Sequence, residues 1–447
     1  MGKYFGTDGF RGEANVVLTV EHAFKVGRYL GWYFGQDHKA RIVIGKDTRR
    51  SSYMFEYALA AGLTASGADA YLLHVTTTPS VSYVVRTEDF DCGIMISASH
   101  NPFYDNGIKV INSAGHKLEA EVEEKIEAYI DGEIGELPLA TKEKIGRTVD
   151  YAAGRNRYIG HLISVATRSF KDMRVGLDCS NGSSSAIAKS VFDALGAKTY
   201  VINNEPDGTN INSNCGSTHM DELKARVVYE KAAVGLAFDG DADRMLAVDE
   251  HGNVVDGDQI MAICGNYMKS KGTLKKDTIV VTVMTNLGFT LMGQKEGIHV
   301  EKTKVGDRYV LENMRKNGYN IGGEQSGHVI FLDDNTTGDG LLSALHLLEV
   351  MVNTGKPLSE LAEIMEVLPQ ALVNAKVPNH KKEKFMEYQE IADAVADVEK
   401  KFKGEGRVLI RPSGTEPLVR VMIEGKDQKV IDEEAKKLAE LITRIML

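Results

Sequence analysis

Short apolar runs rich in β-branched residues alternate with amphipathic stretches of helical period as far as about residue 366. "ARIVIG" precedes "SYMFEYALAAGLTASG", "RVGLDCS" precedes "SSAIAKSVFDALG", and "TIVVTVM" precedes "NLGFTLMGQKEG". This repeated β-then-α order predicts α/β layers with largely parallel strands. The rhythm recurs in three blocks, with seams near Asp150, Gly257 and Pro369. After Pro369 the pattern changes to a strand, a charged helix "KFMEYQEIADAVADVEKKF", two strand runs in "GRVLIRPSGTEPLVRVMIEG", and a closing helix "DQKVIDEEAKKLAELITRIM". That order predicts a small α+β module with antiparallel pairing. The expected organisation is therefore three similar mixed α/β domains, 1–150, 151–256 and 257–368, and an α+β domain, 369–447.

A chain of 447 residues is long enough for three or four domains of about 100–150 residues each. Its formal net charge of -10 disfavours a nucleic-acid partner, which calls for a basic stripe. No apolar run approaches the ~20 residues of a membrane span, and "MGKYFGTDGFRG" lacks the apolar core of a signal peptide, so a cytoplasmic protein without a membrane partner is expected. The four cysteines are far apart and predict neither a disulfide framework nor a thiolate metal cluster.

Four loops carry candidate chemistry. In "GIMISASHNP" an apolar strand stops before Ser99 and His100, and Pro102 excludes helix continuation, leaving an irregular loop whose amides are free to face a ligand. A hydrolase serine would need a G-x-S-x-G elbow that is absent here; otherwise Ser99 and His100 only close the loop. "LAFDGDADRMLAVDE" places Asp239, Asp241 and Asp243 at alternating positions, where they repel one another unless a cation lies among them. Arg244 stands where a calcium EF-hand needs glycine, and strands flank the loop, so the oxygen-only set points to Mg2+. "GYNIGGEQSGHVIF" presents Glu324, Ser326 and His328 either to vicinal sugar hydroxyls or as incidental polar residues of a glycine-rich hairpin. "RPSGTEP" with Arg411, Ser413, Gly414, Thr415 and then Arg420 forms a phosphate nest, or else a turn with a solvated arginine. Arg11, Lys46, Arg49 and Arg50 read as solvated basic residues, Asp307 and Arg308 as a helix start, and Lys109 as a strand-edge lysine, each taken alone.

Together and in this order, "SASHNP", "DGDADR", "GEQSGH" and "RPSGTEP" resemble the phosphoserine, metal, sugar and phosphate loops of the α-D-phosphohexomutase superfamily, over the whole chain. "YFGTDGFRG", "SASHNPFYDNGIK", "PDGTNINSNCGSTH" and "VGDRYVLENM" are similar to its bacterial phosphoglucosamine mutase branch. The resemblance implies four domains around a central active-site cleft, a phosphoryl group on Ser99, and one Mg2+ held by Ser99, Asp239, Asp241 and Asp243. It implies interconversion of glucosamine 6-phosphate and glucosamine 1-phosphate through glucosamine 1,6-bisphosphate, on the route to UDP-N-acetylglucosamine and peptidoglycan precursors. His328, Lys109 and His100 are then candidates for proton transfer, with Arg11 and Arg244 as electrostatic stabilisers. Glu324 and Ser326 grip the sugar, and Arg411, Ser413, Gly414, Thr415 and Arg420 hold the phosphate that is not reacting, with Asp307 and Arg308 also in the substrate set. Dimers through the first domain are common in the superfamily, so a homodimer is expected. A mutase for glucose or mannose phosphates is the alternative within the superfamily.

Overall fold

Strands buried on both faces account for the continuous apolar runs. In Arg41–Lys46, Ile42 and Ile44 join one apolar cluster while Val43 joins another; in Cys92–Ile96, Ile94 and Ile96 are separated from Met95 in the same way. Such strands cannot show the alternation of a half-exposed sheet. The computed structural model describes every residue except Met1, Thr7, Glu405, Gly414 and Thr415.

The first sheet has seven strands in the order Phe5–Gly6, Gly9–Glu13, Asp105–Asn112, Cys92–Ile96, Arg41–Lys46, Asp69–Val75 and Thr148–Asp150. The last four are mutually parallel, but Asp105–Asn112 runs antiparallel to Cys92–Ile96. The second sheet orders Val254–Val255, Met245–Asp249, Val234–Phe238, Arg174–Asp178 and Lys198–Ile202, again with a parallel side and an antiparallel side. The third orders His299–Thr303, Thr278–Thr282, Ile321–Gly323 and Val329–Phe331, and only its final pair is antiparallel. The three sheets are thus mixed, and the expectation of largely parallel strands gives way to a parallel core with an antiparallel extension in each.

The described residues divide into two compact units, one formed by Met1–Met284 with Ile298–Ile364 and the other by Thr285–Gly297 with Met365–Leu447. The second unit holds a three-stranded antiparallel sheet, Gln370–Lys376, Leu418–Gly425 and Gly406–Pro412. Val419, Val421 and Ile423 point to one face of it and pack with Ile391, Val395, Ile431, Leu438 and Ile442 from the helices Gln389–Lys401 and Gln428–Met446. The chain is α/β in its first three blocks and α+β in its last.

Parallel strands deliver the loops that matter. Arg41–Lys46 ends beside Cys92–Ile96, with Lys46 opposite Ile96, so segments 47–49 and 97–101 leave the same carboxyl edge of the first sheet. The segment after Phe238 leaves the corresponding edge of the second sheet, and the one after Gly323 that of the third. Ligands of open α/β sheets bind at such edges.

Candidate active site

Ser99 is buried and adopts φ +52°, a left-handed conformation that costs a non-glycine residue about 1–2 kcal/mol. Its amide donates to Ser97 Oγ at 3.0 Å, and its hydroxyl donates to Asp239 Oδ2 at 2.6 Å, with His100 Nδ1 3.3 Å away. The basic stretch before it departs from the solvated face expected of it. Lys46 is buried against Glu56, and Arg49 is fully buried against Asp47; only Arg50 is exposed. Both cations have a carboxylate partner, as burial of charge requires.

The aspartates occupy the turn between Val234–Phe238 and Met245–Asp249, and one carboxylate oxygen from each lies within 4.8 Å of the others. Asp239 Oδ1 accepts from the Arg244 amide at 3.2 Å. Asp241 Oδ2 accepts from Thr78 Oγ1 at 2.5 Å and Lys109 Nζ at 2.8 Å. Asp241 Oδ1 and Asp243 Oδ1 are buried and make no hydrogen bond to the described residues. Burial, with Asp243 and Asp241 alongside, raises Asp239 well above the usual carboxylate range. Burial pulls Asp241 the same way, but Lys109 and the Thr78 hydroxyl more than offset it and hold Asp241 at about 2. A cluster whose members are pushed apart in this way, with two buried oxygens that accept no hydrogen bond from the described residues, fits a hard cation. Glu250, which a calcium loop would turn inward, instead accepts from the Ser359 amide at 3.3 Å and from its hydroxyl.

Lys109 lies on an inner strand rather than a sheet edge, because Asp105–Asn112 is flanked by Gly9–Glu13 and Cys92–Ile96. Burial opposes its charge, yet Asp241, Asp8 and Asp243 hold its ammonium above the ordinary range. Asp8 also pairs with Arg11 and, at 3.1 Å, with Lys117, which reaches Asp307 at 2.8 Å. Asp307 Oδ2 lies 3.5 Å from His328 Nε2. Lys109, Asp8, Lys117, Asp307 and His328 line a cavity of about 190 Å³ beside Asp243. Asp307 and Arg308 do start a helix, Asp307–Asn317, and Arg308 pairs with Glu312 at 3.0 Å. Arg244 Nη1 is 3.3 Å from His100 Nδ1, and burial together with Arg244 and Arg11 lowers His100 to about 4, so its imidazole is neutral at pH 7.

Glu324 and His328 stand in the hairpin between Ile321–Gly323 and Val329–Phe331, where Glu324 Oε1 accepts from the Gly306 amide at 3.2 Å and Ser326 is exposed. Gly327, at φ +92°, is required there: a Cβ would collide with the Met245 carbonyl oxygen.

In the second unit Arg411 and Arg420 stand directly opposite each other on neighbouring strands, on the face away from Val419 and Val421. Arg420 reaches Glu416 at 2.9 Å, and Lys382 Nζ donates to the carbonyls of Ser413 and Glu416. Burial and the neighbouring Arg420 lower Arg411. Two opposed guanidiniums with an ammonium nearby and one exposed carboxylate favour an anion. Gly414 and Thr415 lie outside the described residues.

The first unit therefore brings together Ser99, His100, the three aspartates, Arg244, Lys109, Arg11, Asp307 and His328. Sequence reasoning passed over Asp8, Lys117 and Thr78. Asp8 carried a faint signal, an acid three residues before Arg11 in "GTDGFRG"; Lys117 and Thr78 carried none.

Residues 2–135, 156–252, 256–368 and 372–441 match, in turn, domains I, II and III (each alpha/beta/alpha) and the C-terminal domain of phosphoglucomutase/phosphomannomutase. The chain belongs to the phosphoglucomutase/phosphomannomutase family. Among its relatives, phosphoglucosamine mutase of Lachnoclostridium phytofermentans is 61% identical over 97% of this chain and 97% of its own. The enzyme of the same name from Clostridioides difficile is 52% identical over 99% of both chains. A crystal structure of a phosphoglucomutase/phosphomannomutase family protein from Burkholderia thailandensis covers 99% of this chain and 98% of its own with a TM-score of 0.81 at 21% identity. N-acetylphosphoglucosamine mutase of Aspergillus fumigatus, solved with GlcNAc-6P and magnesium, shares the fold with a TM-score of 0.66 at 17% identity, covering 99% of this chain and 96% of its own. Among the described residues no helix is long and apolar enough to cross a membrane, and all four cysteines are free and buried.

Proposed function

We propose that the chain interconverts glucosamine 6-phosphate and glucosamine 1-phosphate through a phosphoserine at Ser99 and glucosamine 1,6-bisphosphate, supplying the route to UDP-N-acetylglucosamine and peptidoglycan precursors. The observation that carries this reading is the 2.6 Å bond from Ser99 Oγ to Asp239 inside a buried three-carboxylate cluster. The amino sugar rests on relatives 52–61% identical over nearly the whole chain.

Mg2+ held by Asp239, Asp241, Asp243 and phosphorylated Ser99 would offset charge on the transferring group. Attack by the sugar O1 forms an O1–P bond as the Ser99 Oγ–P bond breaks. Arg11 and Arg244 stabilise the charge that spreads over the phosphoryl oxygens. His328 and His100, the latter with its imidazole neutral at pH 7, remain the candidates to accept the O1 proton, whereas Lys109, held as an ammonium, acts as a donor and counter-charge. The bisphosphate then turns over and returns its 6-phosphoryl group to Ser99. Glu324 and Ser326 hold the O3 and O4 edge in both poses, with Asp307 and Arg308 beside them, while Arg411, Ser413, Gly414, Thr415 and Arg420 bind the other phosphate.

The test is a parallel assay on glucosamine, glucose and mannose 6-phosphates after priming with the matching bisphosphate, with and without Mg2+. Preferred turnover of the glucosamine substrate, lost on chelation, supports the reading. Preference for glucose or mannose phosphate removes the amino sugar, and steady release of inorganic phosphate removes the mutase.

We also propose domains at 1–150, 151–256, 257–368 and 369–447, supported by the residue ranges of the four sheets and checked by limited proteolysis. A homodimer is supported by Val16, Val17, Tyr53, Tyr57, Phe103 and Tyr104, which are exposed on the body of the first sheet. Sedimentation at micromolar concentration should give twice the chain mass, and a monomer would remove the proposal. A cytoplasmic location is checked by cell fractionation.

A further inference from the structure

The stretch "PDGTNINSNCGSTH", Pro206–His219, has no part in the chemistry above, yet it is pinned in place. Asp178, buried at the end of its strand, accepts from the amides of Ser180 and Gly216 at 2.9 Å each, and the Asn212 amide donates to Ser180 O at 2.9 Å. Asn212 is left-handed at φ +58°, a conformation asparagine tolerates well, and this aims its side chain at the Ser99 loop. Nδ2 donates to the carbonyls of Ser99, at 2.8 Å, and of Asn101, at 3.0 Å. From the first sheet, Arg49 Nη2 donates to the same two carbonyls at 3.1 and 2.6 Å. Arg49 is itself fixed by Asp47, which also accepts from the Arg49 amide at 2.9 Å and from Ser52 Oγ at 2.7 Å. The metal loop closes the arrangement: a Cβ on Gly240 would collide with Ser99 O and crowd Asn212 Nδ2 and Ile211.

We infer that Asn212 is a positioning residue for Ser99: with Arg49 it clamps the Ser99 and Asn101 carbonyls and holds Ser99 in the left-handed conformation that directs its Oγ at Asp239. Without the two carbonyl anchors, Ser99 relaxes toward negative φ, its Cα–Cβ bond swings, and the hydroxyl no longer meets the acidic cluster. The clamp reaches the nucleophile loop from the second sheet, so the loop and the acidic cluster that must work together are fixed by the same body. Thr48 Oγ1, which donates to Asn181 O at 2.6 Å, joins loops of the same two sheets without touching Ser99 and serves as the control.

Asn212→Gly removes the amide while leaving the backbone free to stay left-handed. On whichever sugar phosphate the wild type turns over, this variant is expected to lose about 10- to 100-fold in kcat with KM within about 2-fold. Thr48→Val is expected to lower the melting temperature and keep kcat within about 2-fold. A kcat for Asn212→Gly within that margin, or an equal loss in Thr48→Val, overturns the inference. This kinetic arm rests on the phosphoryl transfer at Ser99 proposed above; a crystal structure of Asn212→Gly does not. Ser99 leaving the left-handed region in that structure supports the clamp, and Ser99 retained at its positive φ overturns it whatever the enzyme acts on.

Discussion

The Ser99 hydroxyl spends its single proton on Asp239, and no other side chain of the loop presents an oxygen to that carboxylate. Ser99→Ala is therefore expected to abolish turnover, to take up no phosphoryl mass from a bisphosphosugar, and to stay folded at 25 °C by circular dichroism; uptake of that mass would place the acceptor elsewhere. Glu123, on the helix Ala120–Ile130, makes a different prediction. Burial raises its carboxyl to about 7, with Arg308 and Lys117 pulling it back only in part. A carboxyl with a folded pKa above its unfolded value binds its proton more tightly in the fold, so the contribution of Glu123 to stability is greatest below about 4.5 and is lost as pH rises through 7. Glu123→Gln should flatten that fall, which melting temperatures measured from pH 4.5 to 8 would reveal; an unchanged slope would clear Glu123 of it. Ser99 and the three aspartates were legible because their signal is local, a few residues of one loop. The chain of charges from Arg11 through Asp8 and Lys117 to Asp307 was not, because Lys117 and Asp307 come from segments distant from Asp8 and Arg11 and each looks ordinary where it stands.

At the scale of elements, the apolar runs located the strands because those strands are buried on both faces. Direction was harder to read: a reversal such as that between Cys92–Ile96 and Asp105–Asn112 depends on how the chain leaves "SASHNP", and the apolar pattern of the strands is the same either way. Hence Lys109 looked like an edge lysine although it is interior. The hairpin Gly406–Pro412 to Leu418–Gly425 was legible, and pairing adds what spacing could not, that Arg411 and Arg420 are direct neighbours. Like charges opposed across strands are unfavourable until an anion joins them. Arg420→Ala is therefore expected to raise KM for the phosphosugar by about 10-fold or more while leaving the melting temperature of the unliganded protein unchanged or higher. A lowered melting temperature with KM intact would make Arg420 structural.

Over the whole molecule, packing does not follow chain order. The helix Leu287–Glu296 follows a strand of the third sheet, yet its segment belongs with the C-terminal unit. Asn286 exchanges hydrogen bonds with Leu368 at 2.9 and 3.1 Å, and a Cβ on Gly288 would collide with the Glu366 carbonyl. Glu424 ties this unit together: fully buried, it pairs with Arg407, accepts from the Leu287 amide at 3.2 Å and from Gln370 Nε2 at 2.9 Å, while Arg407 Nη2 donates to Thr285 O at 2.6 Å. The sequence offers no sign of this, since Glu424 reads as the polar end of a strand and Arg407 as the start of another. Glu424→Gln keeps the shape and removes a fully buried charge that pairs with Arg407, a loss of about 3 kcal/mol. Hydrogen exchange should then quicken in 285–297, 406–412 and 418–425 and stay at the wild-type rate in the strands Cys92–Ile96 and Val234–Phe238. Equal quickening in those two strands would mean that Glu424 supports the fold as a whole; no change in 285–297 would mean that the helix is held by Asn286 and Gly288 alone.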